Sequence, residues 1–279
     1  MSDSRKPTAL MSYWQNKICL ITGGSAGLGL AIGHALADRQ AKVILVARRQ
    51  EPLDAAAAEI RKRGAEALAI AADMAWQEDV DRVAGEVADR FGRLDMLVNC
   101  AGRSTRSAIL ETSPEDFLQL IEANLITTVR ATRALAPLLI ASRGHLVNVG
   151  SLASKVAAPY LGAYPASKHA IAAYTQQLRL ELGPQGLHAM LVCPGPIARH
   201  DAGTRYVAEA PGVPADAQAP GGGARVKSLD PDRLAADILK ACESRRLELI
   251  APAKARLLFA ISQLSPRLGD WLLQRAIKG

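Results

Sequence analysis

Short apolar runs alternate with helix-patterned stretches along most of this 279-residue chain, and that rhythm restricts its fold more than any other feature. "KICLITGG" (17–24), "KVILVAR" (42–48), "EALAIAAD" (66–73), "LDMLVNCAG" (94–102), "GHLVNVGS" (144–151) and "LHAMLVCPG" (187–195) each read as a buried strand, and "LELIAP" (247–252) as a last one. Continuous apolar strands separated by helices indicate a parallel sheet covered on both faces. Their spacing is that of a doubly wound α/β fold, in which ligands sit beyond the carboxyl ends of the strands.

Local signals punctuate the helices. Gly64 is placed to stop the helix "LDAAAAEIRKRG". Ser113, Pro114 and Asp116 have the types of an N-cap, a first helical residue and a capping-box acid, which predicts one helix from there to about Leu139. Residues 196–229 break the rhythm: they are rich in Pro, Gly and Ala and too long for an ordinary connection, so a substrate lid is expected there. No low-complexity linker divides the chain. The expectation is a flexible tail (1–14), a single nucleotide-binding domain (15–253) and an amphipathic extension (254–279).

The chemistry is concentrated in a few stretches. The first strand runs into "TGGSAGLG" (22–29) and a helix follows at once. Gly23, Gly27 and Gly29 would let the backbone approach a pyrophosphate, while the helix N-terminus supplies N–H groups and positive dipole. The second strand ends in "VARRQ", with no acid between Val43 and Gln50. A carboxylate there would bond a ribose 2′-hydroxyl. Arg48 and Arg49 instead suit a 2′-phosphate, so NADP(H) is preferred and NAD(H) is the second choice. In "AYPASKHA" (163–170), Tyr164 and Lys168 would share one helix face, and Pro165 puts the start of that helix within a few residues of Tyr164. A cation near a phenol favours the phenolate and lowers its pKa from about 10.

These motifs, with "NCAG" at 99–102, Ser151 ending the fifth strand and "PG" at 194–195, resemble in order and spacing the short-chain dehydrogenase/reductase family, over about residues 15 to 255. The resemblance implies a Rossmann-type fold with a seven-stranded parallel sheet, a nicotinamide cofactor and a homodimer or homotetramer. It implies a catalytic set of Asn124, Ser151, Tyr164 and Lys168. Tyr164 would exchange a proton with the carbonyl or alcohol oxygen, Lys168 would tune it and bond the ribose, Ser151 would polarise the substrate, and Asn124 would hold a water. An asparagine inside a helix can equally bond the backbone, and the sequence leaves that open. The cofactor positions implied are Gly23, Ser25, Ala26, Gly27, Leu28, Gly29, Arg48, Arg49, Asp73, Met74, Asn99, Ala101, Gly102, Pro194, Gly195 and Ile197, with Tyr164 and Lys168. Two positions depart from the pattern. Ala26 stands where NADP-binding members often carry a basic residue, and the threonine usual after the sixth strand is replaced around Arg199. The roles of Arg199, His200 and Arg205 stay open.

Composition bears on the alternatives. Basic residues give a net charge of +7 but are scattered without interleaved aromatics, which argues against nucleic acid. The four cysteines and five histidines lack disulfide or metal-ligand spacing, so no metal is expected, and the setting is read as cytoplasmic. No apolar run reaches the length of a membrane span. The extension 254–279 carries an apolar stripe that needs burial, against protein or at a membrane surface. The reading is an oxidoreductase moving hydride between NADP(H) and a carbonyl or secondary alcohol. Its rivals are a non-catalytic NADP-sensing regulator and an NAD-dependent member acting on lipid-like, steroid or acyl substrates. A sugar-nucleotide epimerase would need more chain after residue 196.

Overall fold

The computed structural model describes residues 12–198, 213–218 and 227–278. Seven parallel strands form one sheet in the order β3-β2-β1-β4-β5-β6-β7. They are β1 (Ile18–Thr22), β2 (Lys42–Ala47), β3 (Ala67–Ala71), β4 (Met96–Asn99), β5 (His145–Val149), β6 (His188–Pro194) and β7 (Glu248–Ala251). The chain winds outward from β1 to β3, then returns beside β1 with β4 and winds the other way. That reversal leaves a crevice at the carboxyl ends of β1 and β4, where open α/β sheets bind ligands.

The central strand β1 is buried on both faces because its side chains alternate between two cores. Cys19 and Ile21 of β1 join Ile32 and Leu36 of α1 (Gly27–Ala37), Leu53 and Ile60 of α2 (Gln50–Lys62), and Ile238 and Leu239 further on. Ile18 and Leu20 of the same strand face Val80, Val83 and Val87 of α3 (Gln77–Phe91) and Leu135 and Leu139 of a later helix. This period of two is what a doubly covered strand requires. The helix stop at Gly64 is present, with φ at +83°.

The expected helix from Ser113 to about Leu139 is present and runs unbroken from Pro114 to Ala141, but it widens in the middle: α4 (Pro114–Ile121) passes through a π-helical segment (Glu122–Ile126) into α5 (Thr127–Ala141). Its start is as expected. Ser113 Oγ accepts from Asp116 N at 3.1 Å, and Asp116 Oδ2 accepts from Ser113 N at 3.0 Å. The wide turn has a local cause, described with the site below. After it come α6 (Tyr164–Leu182), the short α7 (Ala215–Gln218), α8 (Pro231–Glu243), α9 (Ala255–Leu264) and α10 (Pro266–Lys278).

Residues 1–11 of the expected tail lie outside the described residues, but its end is packed. Trp14 is fully buried and its Nε1 donates to Glu243 at 2.7 Å, while Tyr13 Oη bonds His145 Nε2 at 2.7 Å. Most of the expected lid, with Arg199, His200 and Arg205, also lies outside the described residues. Its described base is closed by Leu229 N donating to Pro196 O at 2.7 Å and Ala198 N to Leu229 O at 2.8 Å. At the opposite end of the sheet, His145, His188 and Cys242 bring ligand-type atoms within 4.8 Å of one another. No spacing could announce this, because β5, β6 and α8 each contribute one residue. The two Nδ1 atoms there already bond each other at 2.8 Å.

Candidate active site

A cleft of about 1740 Å³ opens at the carboxyl ends of the strands. One end is the glycine turn. Gly27 has φ +54°, a conformation that L side chains rarely adopt, and a Cβ on Gly29 would meet Gly23 O at 2.3 Å. No side chain caps α1, so its first-turn amides face the cleft as an anion-binding end. Thr22, buried at the end of β1, fastens this turn to β4: its Oγ1 accepts from Cys100 N at 3.1 Å and Ala101 N at 3.2 Å.

Gly23, Ser25, Ala26, Gly27, Leu28, Gly29, Arg48, Arg49, Asp73, Met74, Ala101, Gly102, Ser151, Tyr164, Lys168, Pro194, Gly195 and Ile197 all line this cleft. Arg48 and Arg49 are exposed at the end of β2. Asp73 shapes the turn after β3, its Oδ1 accepting from Ala75 N at 3.1 Å while its own amide donates to Asp79 Oδ2 at 2.7 Å.

Two expected members stand behind the wall instead. Asn99 is buried under the cleft, where Nδ2 donates to Thr132 Oγ1 at 3.1 Å and Asn148 Oδ1 at 2.9 Å. It ties β4 to β5 and α5 and does not line the cleft, because the side chain of a strand residue at this register points into the sheet's cover rather than off its end. Asn124 is fully buried in the π-helical segment. Its Oδ1 accepts from Arg103 N at 2.8 Å, and its Nδ2 donates to Arg103 O at 3.0 Å and Ser167 Oγ at 2.9 Å. The side-chain amide thus meets the Arg103 backbone twice and the Ser167 hydroxyl once. The same contacts account for the wide turn. The Thr127 amide reaches back to Glu122 O, five residues earlier, and the added residue faces Asn124 toward the loop after β4.

Ser167 links two of these elements and carries no local signal in the sequence. Buried on α6, it accepts from Asn124 and donates to Tyr164 O at 2.8 Å, which couples the π-helical segment to the helix start that carries Tyr164. Its partner lies 43 residues away, so no local pattern marks it. Lys168 is buried one turn after Tyr164. Its Nζ donates to Val149 O at 2.9 Å and lies 5.8 Å from the Tyr164 ring centroid. Burial pushes its pKa down to about 8, with the Cys100 and Cys193 thiols pulling the other way. Ser151 is distinguished from Ser154 by geometry. Ser154 is buried and its Oγ accepts from Ser151 N at 3.1 Å, whereas Ser151 lines the cleft and its Oγ accepts from Ala153 N at 3.1 Å. The O–H proton of Ser151 is then what it can present to a ligand.

The far wall was not expected from sequence. Leu258 and Phe259 of α9 and Leu273 of α10 line the cleft, so the C-terminal extension packs on its own subunit on that side. Phe259 is buried against Ile171, Leu191, Cys193 and Ile250.

A parallel doubly wound sheet, a glycine turn against an uncapped helix, and a Ser–Tyr–Lys set in one cleft define a nucleotide-binding oxidoreductase. The family model described as "short chain dehydrogenase" matches residues 17–208. The chain belongs to the short-chain dehydrogenase/reductase family. Among its relatives, the 3-oxoacyl-[acyl-carrier-protein] reductase of Synechocystis sp. is 33% identical over 184 residues, 65% of this chain and 74% of the relative. The ketoacyl reductase HetN of Nostoc sp. is 28% identical over 267 residues, covering 93% of this chain and 89% of the relative. A solved short-chain dehydrogenase from Streptomyces avermitilis superposes with TM-score 0.77 at 31% identity, covering 94% of this chain and 97% of that one. The L-sorbose reductase of Gluconobacter frateurii, solved with NADPH and L-sorbose, gives 0.75 at 26% identity over 86% of this chain and 96% of that one.

Proposed function

We propose that this oxidoreductase transfers hydride between NADP(H) and a carbonyl or secondary alcohol, with Tyr164 as the acid/base. The observation that carries the reading is the convergence of Ser151, Tyr164 and Lys168 on the same cleft as the glycine turn and Arg48–Arg49. The residues fit the cofactor. A Cβ at Gly29 would collide with the Gly23 carbonyl and push the turn out of shape, the end of α1 is uncapped, and two arginines with no facing acid on "VARRQ" suit a 2′-phosphate. Reduced nicotinamide supplies hydride there. For reduction, Ser151 donates its hydroxyl proton to the substrate oxygen in a hydrogen bond and polarises it, and Tyr164 delivers its phenolic proton to that oxygen as charge builds. Lys168, held by Val149 O, favours the phenolate left behind. Asn124 and Ser167 act as positioning residues that fix the start of α6.

The relatives described as ketoacyl reductases and the neighbour solved with NADPH support this reading. A screen of ketones, acyl thioesters and steroids for NADPH oxidation tests it; oxidation of the alcohols in the reverse direction completes the test. The same reading takes the chain as cytoplasmic, its four cysteines all being free thiols. It also takes the chain as a symmetric dimer or tetramer, paired through α4, α5 and α6, where Leu118 and Leu180 are exposed. Light scattering that finds only the 29.6 kDa particle at micromolar concentration rejects the oligomer.

A further inference from the structure

The inner side of the α9–α10 hairpin belongs to the cleft; its outer side is a separate feature. Each helix turns an apolar row outward. Leu257 and Leu264, seven residues apart on α9, are 69% and 87% exposed. On α10, Leu268 and Trp271 are 46% and 50% exposed. Residues three, four or seven apart share a helix face, so each pair forms a stripe rather than scattered points. The two helices cross closely at Gly269. A Cβ on Gly269 would meet Ser262 Cα at 2.6 Å.

The charge around these stripes is one-sided. From Lys254 to Lys278 the chain carries Lys254, Arg256, Arg267, Arg275 and Lys278 against Asp270 alone. The Arg275 guanidinium stacks 4.7 Å from the Trp271 ring, which keeps a cation at the edge of the apolar row. A second copy of this chain is a poor occupant. A twofold contact would set the exposed Arg267 and Arg275 against their own copies. An anionic bilayer surface matches both features, apolar contact at the acyl boundary and cations at the headgroups. None of the described helices is long and apolar enough to cross a membrane, so the contact would lie in the surface plane.

We propose that the α9–α10 hairpin docks the protein onto an anionic lipid surface. Because Leu258, Phe259 and Leu273 of the same hairpin line the cleft, docking brings the cleft's apolar wall beside the lipid. The consequence for substrate rests on the reductase reading above: an amphiphilic carbonyl or alcohol with an apolar chain would enter from the bilayer. The docking itself needs no turnover to be tested.

The test is co-sedimentation of the full chain with vesicles of phosphatidylcholine alone and of phosphatidylcholine mixed with phosphatidylglycerol. The protein should pellet with the anionic vesicles, and raising the salt should weaken that binding. The double variant Leu264→Glu, Trp271→Glu should lose binding by about tenfold or more while keeping native circular dichroism and NADPH affinity, since neither residue lines the cleft. Protein that stays in the supernatant with anionic vesicles overturns the proposal. So does equal pelleting with phosphatidylcholine alone, or a double variant that still binds. A concentration-dependent doubling of mass that the variant abolishes, without vesicle binding, assigns the face to a second copy and also overturns it.

Discussion

The Lys168 ammonium sits 5.8 Å from the Tyr164 ring centroid, inside the protein, with its Nζ bonded to the Val149 carbonyl. That position has a cost in stability. Burial takes the lysine from its ordinary 10.5 to about 8, so below pH 8 the fold carries a charge it disfavours. The unfolded chain then binds more protons between pH 8 and 10.5, and stability rises with pH across that window. Lys168→Met should abolish turnover and yet stabilise the cofactor-free protein at pH 7 by about 1–3 kcal/mol, allowing for the lost hydrogen bond. Denaturant titrations at pH 7 and 10 check this. Wild type should gain stability at the higher pH, and the variant should not show that gain.

Cofactor choice rests on the exposed pair at the end of β2. NADPH should bind more tightly than NADH by on the order of ten- to a hundredfold, the scale of hydrogen bonds to a charged group. Arg48→Asp should reverse most of that preference. Calorimetric titration with both cofactors measures it, and equal affinities in the wild type would contradict the 2′-phosphate assignment.

Ser167 and Asn124 should act in kinetics as one device. Ser167→Ala removes the acceptor of Asn124 Nδ2 and the donor to Tyr164 O, with a loss of about tenfold in kcat and little change in the KM for NADPH. Ser167→Thr keeps the hydroxyl and should restore turnover. Asn124→Ala combined with Ser167→Ala should be far from additive. Loss in KM alone would show that the pair shapes cofactor binding rather than the position of Tyr164.

The strands and both ends of the cleft were legible because their signals are local. A buried parallel strand is a continuous apolar run, and the glycine turn, the Tyr164–Lys168 spacing and the Ser113 capping box are contained within eight residues or fewer. What was not legible depends on partners distant in sequence. The π-helical turn between α4 and α5 accompanies Asn124 bonding Arg103 and Ser167. No local signal tells that the Asn99 amide bonds Thr132 and Asn148. Trp14 reads as tail until Glu243 appears beside it. The hairpin's stripe is visible as an apolar period, but not the fact that its inner side closes the cleft.

The His145–His188 pair predicts an acid limit. The Arg246 carbonyl can only accept, so His188 Nε2 carries a proton, its Nδ1 accepts from His145 Nδ1–H, and His145 Nε2 accepts from Tyr13. This arrangement has both rings neutral, as their lowered pKa values require. Burial first, then His188, Arg245 and Lys17, hold His145 down to about 3, and burial also lowers His188. The stability they contribute is present above about 6.5 and is lost as pH falls toward 3, by about 1.4 kcal/mol per pH unit for a single group. Urea unfolding from pH 7 to 4 measures the slope, which His145→Gln should flatten. A wild-type slope no steeper than that of the variant would contradict the neutral pair.

If the hairpin delivers amphiphiles, the KM for straight-chain aldehydes should fall as the chain lengthens, by roughly 0.8 kcal/mol for each buried methylene until the apolar wall is covered. A KM independent of chain length would separate the cleft's function from the lipid surface.

The central claim is that Tyr164 moves the proton. The most direct measurement is the turnover of Tyr164→Phe on a responsive carbonyl substrate with NADPH, with cofactor affinity measured in parallel. The account predicts a fall in kcat of about 10²–10⁴-fold, the usual scale of general acid–base catalysis, with NADPH binding nearly unchanged. Near-native turnover in that variant would contradict it and would favour a nucleotide-sensing protein that keeps the fold without the chemistry.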